Sequence, residues 1–202
     1  MSPETKNVGT PPLLLASTSP RRRFLLREAG IAFDVVAPRD VAEDFPPGEP
    51  AEELVVRHAL AKARSVAAAN PGRLVLGADT VVVLGERIFG KPADEEGARA
   101  MLAQLAGRTH TVYTGLALVD GSSGREATGT EATGVTMRPL DDEEIKYYVA
   151  TGEPLDKAGA YAVQGRGALL VERVDGDYFN VVGLPLYRLS KMLSAFGYDV
   201  FR

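Results

Sequence analysis

The chain has 202 residues, 45% hydrophobic and 25% charged, a balance typical of a soluble globular protein. A net charge of −4 argues against general nucleic-acid binding, which needs a basic face. No apolar run approaches the roughly 18 residues of a membrane span. With no cysteine, disulfides and zinc-thiolate sites are excluded, and we expect a reducing cytoplasm and no membrane partner.

The N-terminal segment "MSPETKNVGTPP" lacks the layout of a signal peptide. We predict a flexible tail over residues 1–12 and one domain over residues 13–202, a length that suits a single α/β unit.

Short strands and amphipathic helices alternate along the first half of the chain. The apolar run 13–17 predicts a buried strand, followed by a helix with Ser19 as N-cap, Pro20 in its first turn and Gly30 at its end. Next we predict a strand (31–37), a polar proline-rich loop, a helix (50–69) and a long strand (73–85).

The second half continues the alternation. The predicted elements are a helix (93–107), two paired strands (110–121 and 125–140), a short helix (141–152), two β segments (161–165 and 168–176) and a closing helix (184–197). This order predicts one α/β fold with a mixed sheet.

The stretch "GERIFGKP" has the Gly85 to Lys91 spacing of a phosphate-binding P-loop. Pro92 stands where that motif needs Ser or Thr, and it biases Lys91 away from helical geometry. The segment therefore predicts a hairpin that turns at Gly85, with Lys91 just before a helix.

Three arginines occupy the first turn of the helix in "SPRRRFLLR". Cations oppose the positive end of the helix dipole, so their placement makes sense if an anion binds there. The hydroxyls of Ser17 and Ser19 favour a phosphate site, whereas a solvated basic face is the alternative.

Asp79 interrupts the apolar strand "LVLGADTVVVL". A carboxylate among Val and Leu is costly to bury unless it is paired or bound to a metal, which indicates a functional residue. A structural ion pair or a solvent-facing strand end is the alternative. Gly77 leaves room for close approach at this strand.

Other polar residues are ambiguous on spacing alone. Lys62 shares a helical stripe with Val55, Ala59 and Val66, where a lysine can simply extend from the edge of the core. The glycine-rich segment 152–168 can approach a ligand or merely form turns. The two histidines, His58 and His110, show no metal-ligand spacing.

Five stretches together resemble the Maf family of nucleotide pyrophosphatases. They are "LLLASTSPRRRFLLREAGIAF", "LGADTVV", "GKP", "GRTHTVYTGLAL" and "GEPLDKAGAYAVQGRGALLVERVDGDYFNVVGLPL". The resemblance runs from about Leu13 to the C-terminus, and "DKAGAYAVQG" resembles the dTTP/UTP-hydrolysing branch.

The resemblance implies a Maf/ITPase-like α/β fold, an elongated mixed β-sheet flanked by helices with a cleft between two lobes. It implies hydrolysis of a nucleoside triphosphate to the monophosphate and pyrophosphate, with Mg²⁺ or Mn²⁺, in a cytoplasmic homodimer.

The resemblance also assigns residues to roles. Asp79 matches the catalytic acid-base position, and Glu43 matches a polar cleft residue. Because Mg²⁺ and Mn²⁺ prefer oxygen ligands, we expect Asp79 and Glu43 to hold the metal. Residues tied to substrate choice are Arg21, Thr80 and Gln164, and polar residues of the cleft are Arg22, Lys62 and Lys91. Ser17 joins these substrate-binding candidates because of its hydroxyl beside the arginines, not through the resemblance.

Two alternatives to this activity stay open at the level of sequence. One is a nucleotide-binding regulator of cell division without turnover. The other is a pyrophosphatase of another nucleotide, such as 7-methyl-GTP.

Overall fold

The structure is a computed structural model that describes residues 11–200. Its strands are β1 (Leu13–Leu15), β2 (Phe33–Val35), β3 (Leu74–Leu84), β4 (Arg87–Phe89), β5 (Thr109–Asp120), β6 (Glu126–Met137) and β7 (Val171–Asp175). Its helices are α1 (Pro20–Glu28), α2 (Ala51–Ala67), α3 (Glu95–Leu105), α4 (Asp142–Ala150), α5 (Tyr178–Val182) and α6 (Leu186–Ala195). Residues 1–10 of the predicted tail lie outside the described residues.

The strands form a mixed sheet in the hydrogen-bonded order β2-β1-β3-β5-β6-β7, with β4 paired to β3. Strand β1 runs parallel to both β2 and β3. The β3–β4 and β6–β7 pairs are antiparallel. The predicted α/β class with a mixed sheet is therefore confirmed. No helix within residues 11–200 has the length and apolar character needed to cross a bilayer.

The chain divides into two compact units. The first contains residues 11–79, 115–130 and 183–200 of the described chain, and the second contains Thr80–Thr114 and Glu131–Val182. Strands β3, β5 and β6 each contribute residues to both units. This division into compact units does not test the expectation of one domain over residues 13–202, which stays a prediction.

The first unit buries α2 directly against strand backbone. Leu54, Val55 and Ala59 of this helix are fully buried, as the apolar stripe predicted. A Cβ atom placed on Gly77 of β3 would lie 2.0 Å from the carbonyl oxygen of Ala59. On Gly115 of β5, a Cβ atom would lie 2.3 Å from the carbonyl oxygen of Val55. The backbone of α2 therefore packs directly on the backbones of β3 and β5. The space predicted beside Gly77 is occupied by α2.

The second unit has its own apolar core, which includes Phe89, Leu102, Val135 and Tyr148. The hairpin predicted at "GERIFGKP" is confirmed, because β3 and β4 pair antiparallel through Val83 and Ile88. The P-loop interpretation is excluded, since Lys91 lies in the connection between β4 and α3 rather than at the start of a helix.

The prediction of a strand over 161–165 is wrong. The segment from Glu153 to Leu169 contains three short 3-10 turns instead. The Glu153 carboxylate accepts hydrogen bonds from the backbone N–H groups of Arg166 and Gly167 and from the Tyr148 hydroxyl. Inside the segment 161–165, the backbone N–H of Ala162 donates to the Tyr148 hydroxyl, a side-chain acceptor in place of a neighbouring strand.

Candidate active site

Asp79 lies on β3 with only 8% of its surface exposed. Its Oδ1 accepts a hydrogen bond from Lys62 Nζ at 2.6 Å, and its Oδ2 lies 2.9 Å from His58 Nδ1. The carboxylate that the sequence marked as anomalous is therefore buried and paired through both oxygens, as burial of an acid requires.

Both partners of Asp79 come from α2. His58 and Lys62 are four residues apart, so their side chains project from the same face of the helix. The contact at Gly77 brings this face against β3 two residues before Asp79. A buried lysine with 6% exposure thus serves an ion pair, and the interpretation of Lys62 as a side chain that merely extends to solvent is wrong.

The His58 ring joins Asp79 to the loop that follows β2. Its Nε2 lies 3.0 Å from the backbone oxygen of Asp44, so each ring nitrogen faces an oxygen acceptor. The hydrogen bond to Asp79 raises the pKa of His58 although burial opposes the charged ring. A doubly protonated imidazole satisfies both acceptors at once.

Sequence reasoning did not assign a role to His58. Its position carries a usable signal, because it lies three residues after Val55 and four before Lys62 on the predicted buried stripe. A polar ring on that stripe needs a partner, and the candidate acid was Asp79.

The electrostatics of the site favour an ionised Asp79. Burial acts to raise the pKa of this carboxyl, but the bond to His58 and the charge and hydrogen bond of Lys62 outweigh it and lower the pKa. Arg22 lowers it further through its charge. Asp79 is therefore a carboxylate at neutral pH.

Glu43 meets the same lysine from the loop after β2. Lys62 Nζ contacts Glu43 Oε1 at 2.6 Å, the same distance as to Asp79. Within residues 11–200 no cluster of three or more His, Cys, Asp or Glu side chains is suited to a metal. Two carboxylates converging on one cation nevertheless fit Mg²⁺ or Mn²⁺, which are held by one or two carboxylates when substrate phosphates complete the shell.

The arginine cluster occupies the first turn of α1, directly after the turn that leads from β1. Ser19 is the N-cap residue as predicted, but its side chain makes no capping hydrogen bond. The backbone N–H of Ser19 donates to Ser17 Oγ at 3.2 Å. Arg22 is buried, with Nε bonded to the backbone oxygen of Gly183 at 2.9 Å and Nη1 to Ser17 at 3.3 Å. Arg21 is half-buried, and an anion at this turn stays a prediction.

Three predicted site residues belong to the second unit. Thr80 Oγ1 lies 2.9 Å from Thr114 Oγ1, and Thr114 donates to the backbone oxygen of Asn180. Since a hydroxyl has one proton, Thr80 is the donor to Thr114. Lys91 is exposed and Gln164 half-buried, and their loops meet where Gly159 N donates to Gly90 O at 3.0 Å.

The first unit thus brings together Asp79, Lys62 and Glu43 by direct contact, with the charge of Arg22 acting on both acids. Ser17 joins this group through Arg22. The roles of Thr80, Lys91 and Gln164 toward a substrate stay predictions.

Known proteins resemble this chain at two levels. A solved HAM1 protein from Coxiella burnetii matches with a TM-score of 0.52 at 16% identity, covering 91% of this chain and 98% of that one. A Staphylococcus aureus Ham1 structure matches with a TM-score of 0.51 at 14% identity, covering 92% and 100%. At such identities the likeness shows a shared fold.

Sequence similarity goes further. The chain is 54% identical over 192 residues to a dTTP/UTP pyrophosphatase of Moorella thermoacetica, covering 94% of this chain and 97% of that protein. It is 52% identical over 189 residues to one of Symbiobacterium thermophilum, covering 94% and 96%. The family profile described as Maf-like protein matches residues 12–196. The chain belongs to the Maf family.

Proposed function

We propose that this protein is a nucleoside triphosphate pyrophosphatase that hydrolyses dTTP and UTP to the nucleoside monophosphate and pyrophosphate. Relatives that are about 50% identical to this chain over nearly its whole length are named dTTP/UTP pyrophosphatase. The observation that carries the proposal is the buried Asp79 carboxylate, held by His58 and Lys62 and accompanied by Glu43 and Arg22.

Asp79 is the catalytic residue in this proposal. Hydrolysis between the α and β phosphates needs a positioned water and charge neutralisation. An ionised carboxylate can accept a hydrogen bond from the attacking water and take its proton. One lone pair of Asp79 is engaged by His58 and another by Lys62, and a carboxylate has about four acceptor sites, so others remain for water.

Lys62 supplies the cation nearest to the reacting carboxylate. Its ammonium has three N–H donors, of which Asp79 and Glu43 take two. A triphosphate carries roughly four negative charges, and transfer of Lys62 to phosphate oxygens would neutralise part of them while releasing acceptor sites on Asp79. Arg21, Arg22, Ser17 and Lys91 take substrate-binding roles in the proposal, and Thr80 and Gln164 take part in the choice of base.

Asp79 and Glu43 are the residues that would hold the divalent cation. When bound, Mg²⁺ or Mn²⁺ would screen the phosphate charge and polarise the scissile anhydride. The chain's own contribution is to hold two carboxylates within reach of one cation.

A panel of triphosphates tests the function. UTP, dTTP, CTP, GTP and 7-methyl-GTP are incubated with the protein, with and without chelator, and monophosphate and pyrophosphate are separated by chromatography. We expect pyrophosphate release from UTP and dTTP, lost with chelator. Binding without product would establish a regulator instead, and preference for 7-methyl-GTP would replace the pyrimidine assignment.

We infer also that the protein acts in the cytoplasm as a homodimer, as its family resemblance implies. Light scattering coupled to size-exclusion chromatography tests the assembly directly. A mass of one 21.5 kDa chain at micromolar concentration would contradict the dimer.

A further inference from the structure

His58 is buried, with 1% of its surface exposed, and both of its ring nitrogens are engaged. We propose that His58 is a positioning residue for the reaction: through Nδ1 it fixes Oδ2 of Asp79, and through Nε2 it is itself held by the backbone oxygen of Asp44. The inference rests on the proposed function, since it concerns the orientation of the proposed catalytic carboxylate.

The geometry assigns one donor to each oxygen of Asp79. Lys62 bonds Oδ1 and His58 bonds Oδ2, and both donors lie one turn apart on the same helix. A carboxylate held at one oxygen can rotate about its terminal bond, because that torsion has a broad, shallow profile. Two bonds from one rigid helix fix the plane of the group and so the direction of its remaining lone pairs.

The two partners of Asp79 differ in what else they bind. Lys62 also contacts Glu43 and has a third donor, so it can shift toward phosphate while keeping a carboxylate contact. The His58 ring is rigid and held between Asp79 and the Asp44 backbone oxygen, and the Phe45 ring lies nearly perpendicular to it with ring centroids 5.9 Å apart. His58 is therefore the partner that can keep Asp79 oriented while Lys62 moves.

Three substitutions separate the two nitrogens. His58→Leu keeps apolar bulk and removes both bonds. The amide nitrogen of His58→Asn falls near the place of Nδ1 and can still donate to Asp79, whereas that of His58→Gln falls near Nε2 and can reach only Asp44. Steady-state kinetics with UTP and dTTP and urea unfolding are measured for each variant.

We expect kcat of His58→Leu and His58→Gln to fall roughly 10- to 100-fold with little change in KM, because a misplaced reacting group costs that much. His58→Asn should recover most of kcat. A wild-type kcat in His58→Leu would overturn the proposal, as would equal losses in Asn and Gln or recovery in Gln. Should His58→Leu fail to fold, the comparison of Asn with Gln decides alone.

A second measurement separates failure of this inference from failure of the proposed function. The chain has two histidines, so ¹⁵N-histidine NMR resolves each ring. We expect the Nδ1 signal of His58 to be that of a protonated nitrogen and to shift in Asp79→Asn. If the wild type releases no pyrophosphate from any triphosphate, the function fails, and this spectrum still tests the contact. An unchanged His58 signal in Asp79→Asn would overturn the positioning role.

Discussion

The two histidines of the chain are almost equally buried, yet their surroundings give them opposite properties. His58, in the first unit, is 1% exposed and bonds the Asp79 carboxylate, which raises its pKa. His110, in the second unit, is 2% exposed and bonds the Tyr161 hydroxyl at 2.7 Å. Burial lowers the pKa of His110 to about 4, and a backbone interaction at Arg108 offsets only part of this.

The hydrogen-bond partner, rather than the depth of burial, therefore decides whether a buried imidazole is charged. Burial disfavours the charged form at both sites, and only an ionised neighbour reverses that preference. The Tyr161 hydroxyl is a neutral partner, and burial raises its pKa still further from neutrality, so it supplies no negative charge to offset the burial of an imidazolium. One histidine therefore belongs to a charged cluster and the other to an apolar core.

Removing the hydrogen-bond partner of each histidine should have the largest effect, and a different effect at each site. Asp79→Asn keeps the size of the side chain and removes its charge, so turnover should fall about 1000-fold, the typical contribution of a general base. Tyr161→Phe should keep turnover and lose about 1–3 kcal/mol of unfolding free energy, because a buried nitrogen of His110 loses its partner. Pyrophosphate release and urea unfolding are the measurements, and near-normal release by Asp79→Asn would contradict the assignment.

Substitution of the second partner of Asp79 should affect stability as well. Lys62→Met leaves Asp79 and Glu43 without their shared cation, and we expect a loss of about 3 kcal/mol, since removal of one member of a buried ion pair is costly. Lys146→Met is the matched control, because Lys146 pairs with Glu143 on the surface and solvent screens that pair. Equal urea midpoints for the two variants would show that the buried pair adds nothing to stability.

The lowered pKa of His110 makes the free energy of unfolding depend on pH. Between pH 6.5 and about 4 the unfolded chain protonates His110 while the folded chain does not, so stability falls as pH falls through this window. The full effect is about 3 kcal/mol. His110→Gln keeps a donor near Tyr161 and does not titrate, so its unfolding free energy should decline less. Parallel pH profiles of the two proteins between pH 6.5 and 4 would contradict the lowered pKa.

A change in how closely α2 packs on β3 should disturb the surroundings of Asp79 and His58 and leave those of His110 unchanged. In Gly77→Ala, the new Cβ atom would meet the Ala59 carbonyl at 2.0 Å, so helix and strand must separate. We expect a loss of about 2 kcal/mol from overpacking, together with lower turnover. Gly134→Ala is the control, because its Cβ atom meets only ordinary contacts at 3.7 Å. A Gly77→Ala protein with wild-type stability and turnover would show that the close contact is dispensable.

Local pattern was sufficient to predict most of the helices and strands. The apolar stripe of α2 and the long apolar run of β3 each indicate one structure, and Asp79 stands out because it violates its own run. The contacts of Asp79 were harder to predict, because they depend on how far α2 rotates and how closely it approaches β3. His58 shows this limit, since its partner lies 21 residues away in the chain.

Two segments of the second unit were mispredicted for local reasons. Tyr161 and Val163 alternate as in a strand, but the backbone N–H of Ala162 between them donates to the Tyr148 hydroxyl rather than to another strand. Helix α5 was missed because "YFNVV" consists largely of aromatic and β-branched residues with low helix propensity. Asp177 starts this helix by accepting hydrogen bonds from the backbone N–H groups of Phe179 and Asn180.

The contact between Gly77 and Ala59 has a consequence for how this site tolerates change. Its spacing is fixed by two backbones that touch, so the volume of neighbouring core side chains does not determine how far Lys62 and His58 must reach. Exchanges among Val, Ile and Leu elsewhere in that unit can therefore accumulate while the geometry around the carboxylate stays constant. Because Gly77 has no Cβ atom, the core side chains can vary without moving the groups that hold the reacting carboxylate.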